Sequence, residues 1–399
     1  MPVCASSGST SARIDRLGTD GANVLPRSGQ PSPLTRFVLA LAVMDLEMSV
    51  AQEIADVGME RPERPHVVIL GAGASRAAFP DGDQAGRKLP LMNDLVEIAA
   101  LAPLLEGAGV SFEGRDFEEV YSEIASAARH AELAATIEKR VRLYFSGMLL
   151  PPGPTLYDHL VLSLRPKDVI ATFNWDPFLF DACSRNHGRA TPPCVLFLHG
   201  NVRVGYCPDH RRAGYVGSIC PDCGKGLMPT KLLFPVRRKN YTKDPFISSQ
   251  WRVLRRVLKD AYVLTVFGYS APKSDIEAVA LMKAAWGPAS GRSFEQVEIV
   301  DKKAENELTK TWAEFIHTHH YQTSSDFYES WIGAHPRRTC DAMWNQLMKC
   351  RFLSRGDIPR HLDFDGLDQW LTPFLEAEKK ASGTTQTRIE TGSSTDRAG

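Results

Sequence analysis

A short run, His66-Val67-Val68-Ile69-Leu70, ends directly on Gly71-Ala72-Gly73-Ala74-Ser75. Apolar side chains at consecutive positions point to both faces of a strand, so such a strand has to be covered above and below, as in a parallel sheet. Four later runs share this character: residues 168–173 (DVIATF), 194–198 (CVLFL), 262–267 (YVLTVF) and 296–300 (QVEIV). Helical stretches alternate with them, among them 251–258 and 275–286. The expected fold class is α/β, a mostly parallel sheet with helices on both faces.

The rest of the chain is arranged around these runs. Residues 1–60 read as a largely disordered N-terminal segment holding one short helix at 39–54, closed by Arg61-Pro62-Glu63-Arg64-Pro65. Residues 92–150 form a helical insertion that stops at Pro151-Pro152-Gly153-Pro154. After Asp301 the strand signal fades, so 305–380 reads as an aromatic-rich helical C-terminal extension and 381–399 as a disordered tail. Trp312, Phe315, Tyr321, Phe327, Trp331 and Trp344 mark that extension either as a surface for a protein partner or self-association, or as packing on the sheet domain.

Composition matters here for what it excludes. Across 399 residues, 47 Lys and Arg balance 47 Asp and Glu, so no bulk field draws nucleic acid, which is not expected as a partner. The apolar run 37–44 has eight residues, against roughly 20 for a membrane span. The 36 residues before it do not suit a secretory signal, and a cytoplasmic protein is expected. Of eight cysteines, Cys207, Cys220 and Cys223 crowd together while the others are scattered, which suits a metal knuckle in a reducing compartment better than a disulfide framework.

Four motifs carry candidate chemistry. Gly71-Ala72-Gly73 has the first two glycines of G-x-G-x-x-G, with Arg76 in place of the third, so it reads either as a phosphate-binding turn or as a plain strand-to-helix turn. Thr172-Phe173-Asn174-Trp175-Asp176 and Leu198-His199-Gly200-Asn201 follow adjacent strands, where an open α/β sheet binds ligands. Helix capping for Asn174 and Asp176, and a core position for His199, are the alternatives. Cys207-Pro208-Asp209-His210 and Cys220-Pro221-Asp222-Cys223-Gly224 form a C-x2-H and C-x2-C pair nine residues apart. That spacing predicts a closed structural Zn2+ site whose loss would unfold the 205–230 module without touching the catalytic pocket directly; His210 is the ligand in question, with a loop of free cysteines as the alternative.

Gly268-Tyr269-Ser270-Ala271-Pro272 lacks the final glycine of a nucleophile elbow. His317, His319 and His320 fall on different faces of an expected helix. The basic segments Arg211-Arg212, Arg237-Arg238-Lys239 and 252–259 read as solvated faces.

Taken in order, GAGAS, TFNWD, LHG, the knuckles and Gly268-Tyr269-Ser270 resemble the sirtuin-like NAD-dependent family (silent information regulator two-like domain) over about residues 67–301. The TFNWD and GYS forms look more like the divergent branch of bacterial immunity proteins, which implies a role in antiviral defence. The resemblance implies a Rossmann-like NAD-binding domain over 61–304. NAD is then the substrate, bound by Gly71, Ala72, Gly73, Ala74, Ser75, Asn174, Asp176, Gly268 and Ser270, and the catalytic residues are Asn174 and His199.

Two departures bear on the acceptor. Ala78-Phe79-Pro80-Asp81-Gly82-Asp83 keeps only the Pro-Asp core of the deacylase segment, and Leu233-Phe234-Pro235-Val236-Arg237-Arg238 replaces the Phe-Gly-Glu segment that pairs with acyl-lysine peptide. NAD+ hydrolysis to nicotinamide and ADP-ribose is therefore the expected activity. NAD-dependent protein-lysine deacylation, or a non-catalytic NAD or ADP-ribose sensor regulating a partner, are the alternatives.

Overall fold

The computed structural model describes residues 63–236 and 239–392, so the expected N-terminal segment, its helix and the end of the tail lie outside the described residues. In chain order the strands are β1 (His66–Leu70), β2 (Val169–Thr172), β3 (Cys194–Phe197), β4 (Val204–Cys207), β5 (Arg212–Tyr215), β6 (Met228–Pro229), β7 (Val263–Phe267), β8 (Gln296–Val300) and β9 (Tyr321–Ser324). Six of them form one sheet in the order β3-β2-β1-β7-β8-β9, every pairing parallel. Numbered within that sheet the order is 3-2-1-4-5-6, the doubly wound arrangement whose reversal falls between β1 and β7. At that reversal Leu70 stands in register with Phe267.

The continuous apolar runs are explained by what covers them. In β1, Val68 and Leu70 enter one core, while Val67 and Ile69 enter another on the opposite face. The principal helices are α1 (Ala72–Ala78), α2 (Phe117–Ser126), α3 (Ala131–Ser146), α4 (Leu156–Leu162), α5 (Phe178–Asn186), α6 (Pro245–Asp260), α7 (Ile276–Trp286), α8 (Glu305–Trp312), α9 (Thr339–Lys349) and α10 (Phe364–Gly392). The first core takes Phe117 and Tyr121 of α2, Val141 and Phe145 of α3, Tyr157 of α4 and Phe178 of α5. The second takes Trp251 and Leu254 of α6, Met282 and Trp286 of α7 and Trp312 of α8. The α2 start is set by Asp116, whose carboxylate accepts from Glu119 N at 2.9 Å, and α4 opens on a Thr155/Asp158 capping box.

Two expectations change. The 305–380 stretch is not helical throughout: Tyr321–Ser324 (YQTS) adds the sixth strand, parallel to β8. It lies at the sheet edge and is only half-buried, so it needs no apolar run and leaves no strand signature in the sequence. His317, His319 and His320 accordingly sit in the turn before β9 rather than on a helix. The second change is α10, which continues past Ala381 to Gly392. Leu367 and Leu371 anchor it against Leu162, and adding residues to an anchored helix is far cheaper than nucleating a new one.

The extension closes the amino ends of the strands. Trp331 and Trp344 pack with Tyr262, Val263, Cys340 and Met343, while Trp312, Phe315 and Phe327 are buried in the two sheet cores. Trp312, Phe315, Tyr321, Phe327, Trp331 and Trp344 are thus taken up in packing on the sheet domain, whereas Phe352 is exposed. Arg337 Nη1 donates to Leu162 O and Leu164 O at 3.1 and 3.0 Å, and Arg165 pairs with Asp341 at 2.7 Å.

A buried polar chain crosses the sheet at this end. Glu298 Oε2 accepts from Thr265 Oγ1 at 2.9 Å, Thr265 Oγ1 meets His66 Nε2 at 2.8 Å, and His66 Nδ1 meets Thr339 Oγ1 at 2.9 Å. Burial pushes the Glu298 carboxyl up to about 7 and the His66 imidazole down to about 4. Because folded Glu298 holds its proton more tightly than the unfolded chain, its contribution is complete below the usual 4.5 and is lost as pH rises through about 7. His66 acts oppositely, its contribution being lost as pH falls from 6.5 through about 4. Glu298→Gln keeps the shape without the charge, and should remove a loss on the order of 2 kcal/mol between pH 5 and pH 8. Thermal unfolding of both proteins across that range checks it; a variant with the wild-type pH slope would refute the assignment.

Candidate functional site

The site builds from the reversal point of the sheet. Gly71 N donates to Phe267 O at 3.0 Å and Gly73 N to Gly268 O at 2.9 Å, so the turns after β1 and β7 lie backbone against backbone. A Cβ on Gly71 would stand 2.5 Å from Gly268 O, and one on Gly73 2.9 Å from Gly268 Cα. Gly268 has φ +59°, and its Cβ would stand 2.1 Å from Ala74 N. These glycines are required by close packing of two turns, a stronger reason than flexibility. Arg76, at the missing third glycine position, instead pairs with Asp94 at 2.5 Å. Gly268→Ala combines a left-handed φ with a backbone clash and should destabilise the protein by about 3 kcal/mol or more, read as a lowered denaturant midpoint. A near-wild-type midpoint would contradict this packing.

Beside the turn lies a buried polar network. Ser75 Oγ donates to Asp176 Oδ2 at 2.6 Å and meets Tyr157 OH at 2.6 Å. Asn174 Nδ2 donates to Gly71 O and Ser75 Oγ, each at 2.8 Å. Burial raises the Asp176 carboxyl to about 6 against the opposing Ser75 hydrogen bond, and burial also raises the Tyr157 hydroxyl. Asp176 Oδ1 also accepts from Phe178 N at 3.2 Å, while the N-cap position of α5 itself falls on Pro177. Tyr157 carries no sequence signal, since only the fold brings α4 to this point.

His199 stands in a second cluster. Its Nε2 lies 3.4 Å from Tyr241 OH and 3.8 Å from Asp275 Oδ1. Asp275 forms an ion pair with Lys239 and accepts from Tyr269 OH at 2.9 Å. Burial foremost, and the Lys239 charge after it, hold the His199 imidazole down to about 3, with Asp275 pulling the other way. Phe173, the chain neighbour of Asn174, places its ring in this second cluster: it stacks on Tyr269 at 4.2 Å and meets His199 edge-on at 4.8 Å. Gly71, Gly73, Ser75, Asn174, Asp176 and Gly268 therefore come together, Ala72 and Ala74 form the first turn of α1, His199 is one ring away, and Ser270 is exposed at the rim. Lys239, Tyr241 and Asp275 were not expected here. Asp275 follows the GYS motif closely enough to be weighed from sequence, whereas Lys239 is indistinguishable from a solvated basic run.

The knuckles also meet. Cys207 Sγ lies 3.6 Å from His210 Nδ1 and 3.8 Å from Cys223 Sγ, Cys220 Sγ lies 3.9 Å from His210 Nδ1, and all four ligand atoms fall within 4.8 Å of one another. Bonds of about 2.3 Å directed to tetrahedral corners separate sulfur ligands by about 3.8 Å, so three thiolates and an imidazole at these spacings fit a metal ion. Gly224, with φ +70°, turns the second knuckle so that its N–H donates to Cys220 O at 2.9 Å. In the antiparallel sheet β5-β4-β6, Cys207 ends β4, His210 lies in the turn to β5, and Cys220 and Cys223 lie in the loop from β5 to β6. The four candidate metal-binding residues do not touch the site, but the module is linked to it indirectly: Thr230 Oγ1 donates to Asn201 O at 2.9 Å, and Asn201 Nδ2 donates to Asp176 O at 2.6 Å. A two-residue strand beside β4 fixes Thr230, and that contact is invisible to motif spacing.

No family model matches the chain, and no curated protein matches it. Among solved structures, a Sir2 protein bound to acetylated peptide is 13% identical, with 72% of this chain and 93% of that chain covered and a TM-score of 0.32. A Sir2–p53 peptide–NAD+ complex is 16% identical, with 72% and 93% covered and a TM-score of 0.33. A Sir2 homologue–NAD complex is 15% identical, with 75% and 94% covered and a TM-score of 0.30. Scores this low carry neither fold nor activity across. Among the described residues no helix is long and apolar enough to cross a membrane.

Proposed function

We propose that the chain is a sirtuin-like enzyme that cleaves the nicotinamide–ribose bond of NAD+ with water as acceptor, releasing nicotinamide and ADP-ribose. The observation that carries this reading is the convergence, at the reversal point of a 3-2-1-4-5-6 parallel sheet, of the Gly71/Gly73 turn, the Gly268 turn and the buried Ser75–Asn174–Asp176 network, with His199 from the adjacent strand end. That crevice is where doubly wound sheets take nucleotides.

In this mechanism the backbone of residues 71–75 faces the diphosphate, and Asn174 and Asp176 hold the nicotinamide end. The C1′–N bond breaks with its electron pair passing to the pyridinium nitrogen, and water oxygen bonds to C1′. The proton of that water goes to neutral His199, for which a placed base contributes roughly 10²- to 10⁴-fold. One Zn2+ held by Cys207, His210, Cys220 and Cys223 serves the fold of the module.

Water is favoured over acyl-lysine by the segment after the module. Residues 231–236 form no strand, and Phe234 packs on Trp175 and Tyr121 with ring centroids 4.7 and 5.0 Å away. Among the described residues of this segment, a buried Phe234 and the missing donor of Pro235 argue against an edge for a peptide to pair with. The test measures nicotinamide release with and without an acylated peptide. Release without peptide is expected; release only with peptide means a deacylase, and NAD+ binding without release means a sensor. A defence role belongs to the same proposal, and loss of cellular NAD+ on phage infection, dependent on His199, would measure it.

A further inference from the structure

We propose that Asp275 and Lys239 are positioning residues for His199: the Asp275 carboxylate is the counter-charge for the imidazolium formed in turnover, and the Lys239 ammonium holds that carboxylate until then. The inference rests on the proposed role of His199 and adds two residues outside the motifs, Asp275 just after the GYS turn and Lys239 from a basic run. All three side chains are buried, with His199 5%, Asp275 3% and Lys239 6% exposed, so water cannot neutralise any charge that appears there.

The geometry assigns the carboxylate oxygens separately. Oδ2 is committed to the Tyr269 hydroxyl, whereas Oδ1 is shared, with the Lys239 ammonium on it and His199 Nε2 at 3.8 Å. Lys239 is steadied by Ser274 Oγ at 3.3 Å, and Ser274 N in turn donates to Glu118 Oε1 at 2.7 Å. At rest one anion answers one cation and the imidazole is neutral, the form a base needs. When His199 accepts a proton, two cations share Oδ1, and the imidazolium is tolerated only because Asp275 is already ionised and oriented. The other titratable groups facing this cluster are Tyr241, which stacks on His199, Tyr269, Glu118 of α2, and Glu277 at the start of α7 beside Tyr241.

Opposite effects follow from the two charges. Lys239→Met leaves Asp275 to His199 alone, so the imidazole should titrate at least one pH unit higher than in the wild type. Asp275→Asn strands a buried ammonium, so the double variant Asp275→Asn/Lys239→Met, which removes both charges, is made beside it; in that variant His199 should titrate below the Lys239→Met protein. The readout is NMR titration of the His199 ring in full-length protein without NAD+. Nicotinamide release is measured in parallel, where the double variant should lose at least about tenfold in kcat with little change in KM. Equal His199 titration in Lys239→Met, the double variant and the wild type overturns the proposal, even if NAD+ cleavage depends on His199. The expected titration shifts in a wild-type protein that never cleaves NAD+ uphold the positioning and overturn the hydrolase reading instead.

Discussion

Replacing His199 by alanine should lower nicotinamide release from NAD+ by at least about 100-fold while NAD+ still binds. The side chain is buried against Phe173 and Tyr241, so the variant should also lose about 1–3 kcal/mol of stability. Stability alone therefore does not separate a catalytic from a core histidine, and affinity does. A catalytic His199 leaves NAD+ affinity near normal in the folded variant. A core histidine loses turnover and affinity only in step with the folded fraction. Asn174→Ala differs, because it removes two buried hydrogen bonds, to Gly71 O and Ser75 Oγ, together worth about 1–3 kcal/mol, at the turn proposed to face the diphosphate. It should lose affinity and turnover together. Melting temperature, NAD+ affinity and nicotinamide release on both variants are the measurements, and a folded His199→Ala protein with near-normal turnover would sink the mechanism.

Removing the metal should unfold the knuckle module outright. Its core consists of Cys207, Cys220 and Leu227 with Cys223 packed beside them, too little apolar surface to hold three short strands. Binding of Zn2+ to such a set is worth roughly 10–16 kcal/mol in small zinc modules, enough to substitute for a hydrophobic core in the proposed site. Protein purified without chelator should carry one Zn2+ per chain. Cys220→Ala should lose it, whereas His210→Ala, at the one exposed ligand, should bind it more weakly. Because Thr230 holds Asn201 and Asn201 holds the backbone of Asp176, chelation should also reduce NAD+ affinity. Absence of stoichiometric metal would remove the site, and unchanged NAD+ affinity after its removal would remove the coupling.

The parts of this protein legible in its sequence are those where physics acts on neighbouring residues. A strand covered on both faces is apolar at most of its positions, so β1, β2, β7 and β8 announce themselves to within a residue or two, as does β3, whose second half is buried. Metal ligation needs donors at fixed short spacing, so Cys207, His210, Cys220 and Cys223, which the structure brings within 4.8 Å of one another, are legible in the sequence as two knuckles. The turn glycines, Asn174, Asp176 and His199 stand out as candidates because they follow the ends of β1, β2, β3 and β7 closely.

The remainder depends on partners distant in the chain. β9 is a strand only because β8 offers it an edge, and nothing in Tyr-Gln-Thr-Ser demands one. Gly71 and Gly73 need to be glycine because Gly268, almost 200 positions away, presses its backbone on them. Tyr157 reaches Ser75 across 82 positions, and Lys239 meets Asp275 across 36. A polar side chain acquires its charge state and its role from the groups that replace water around it, and only the packed tertiary structure decides which groups those are.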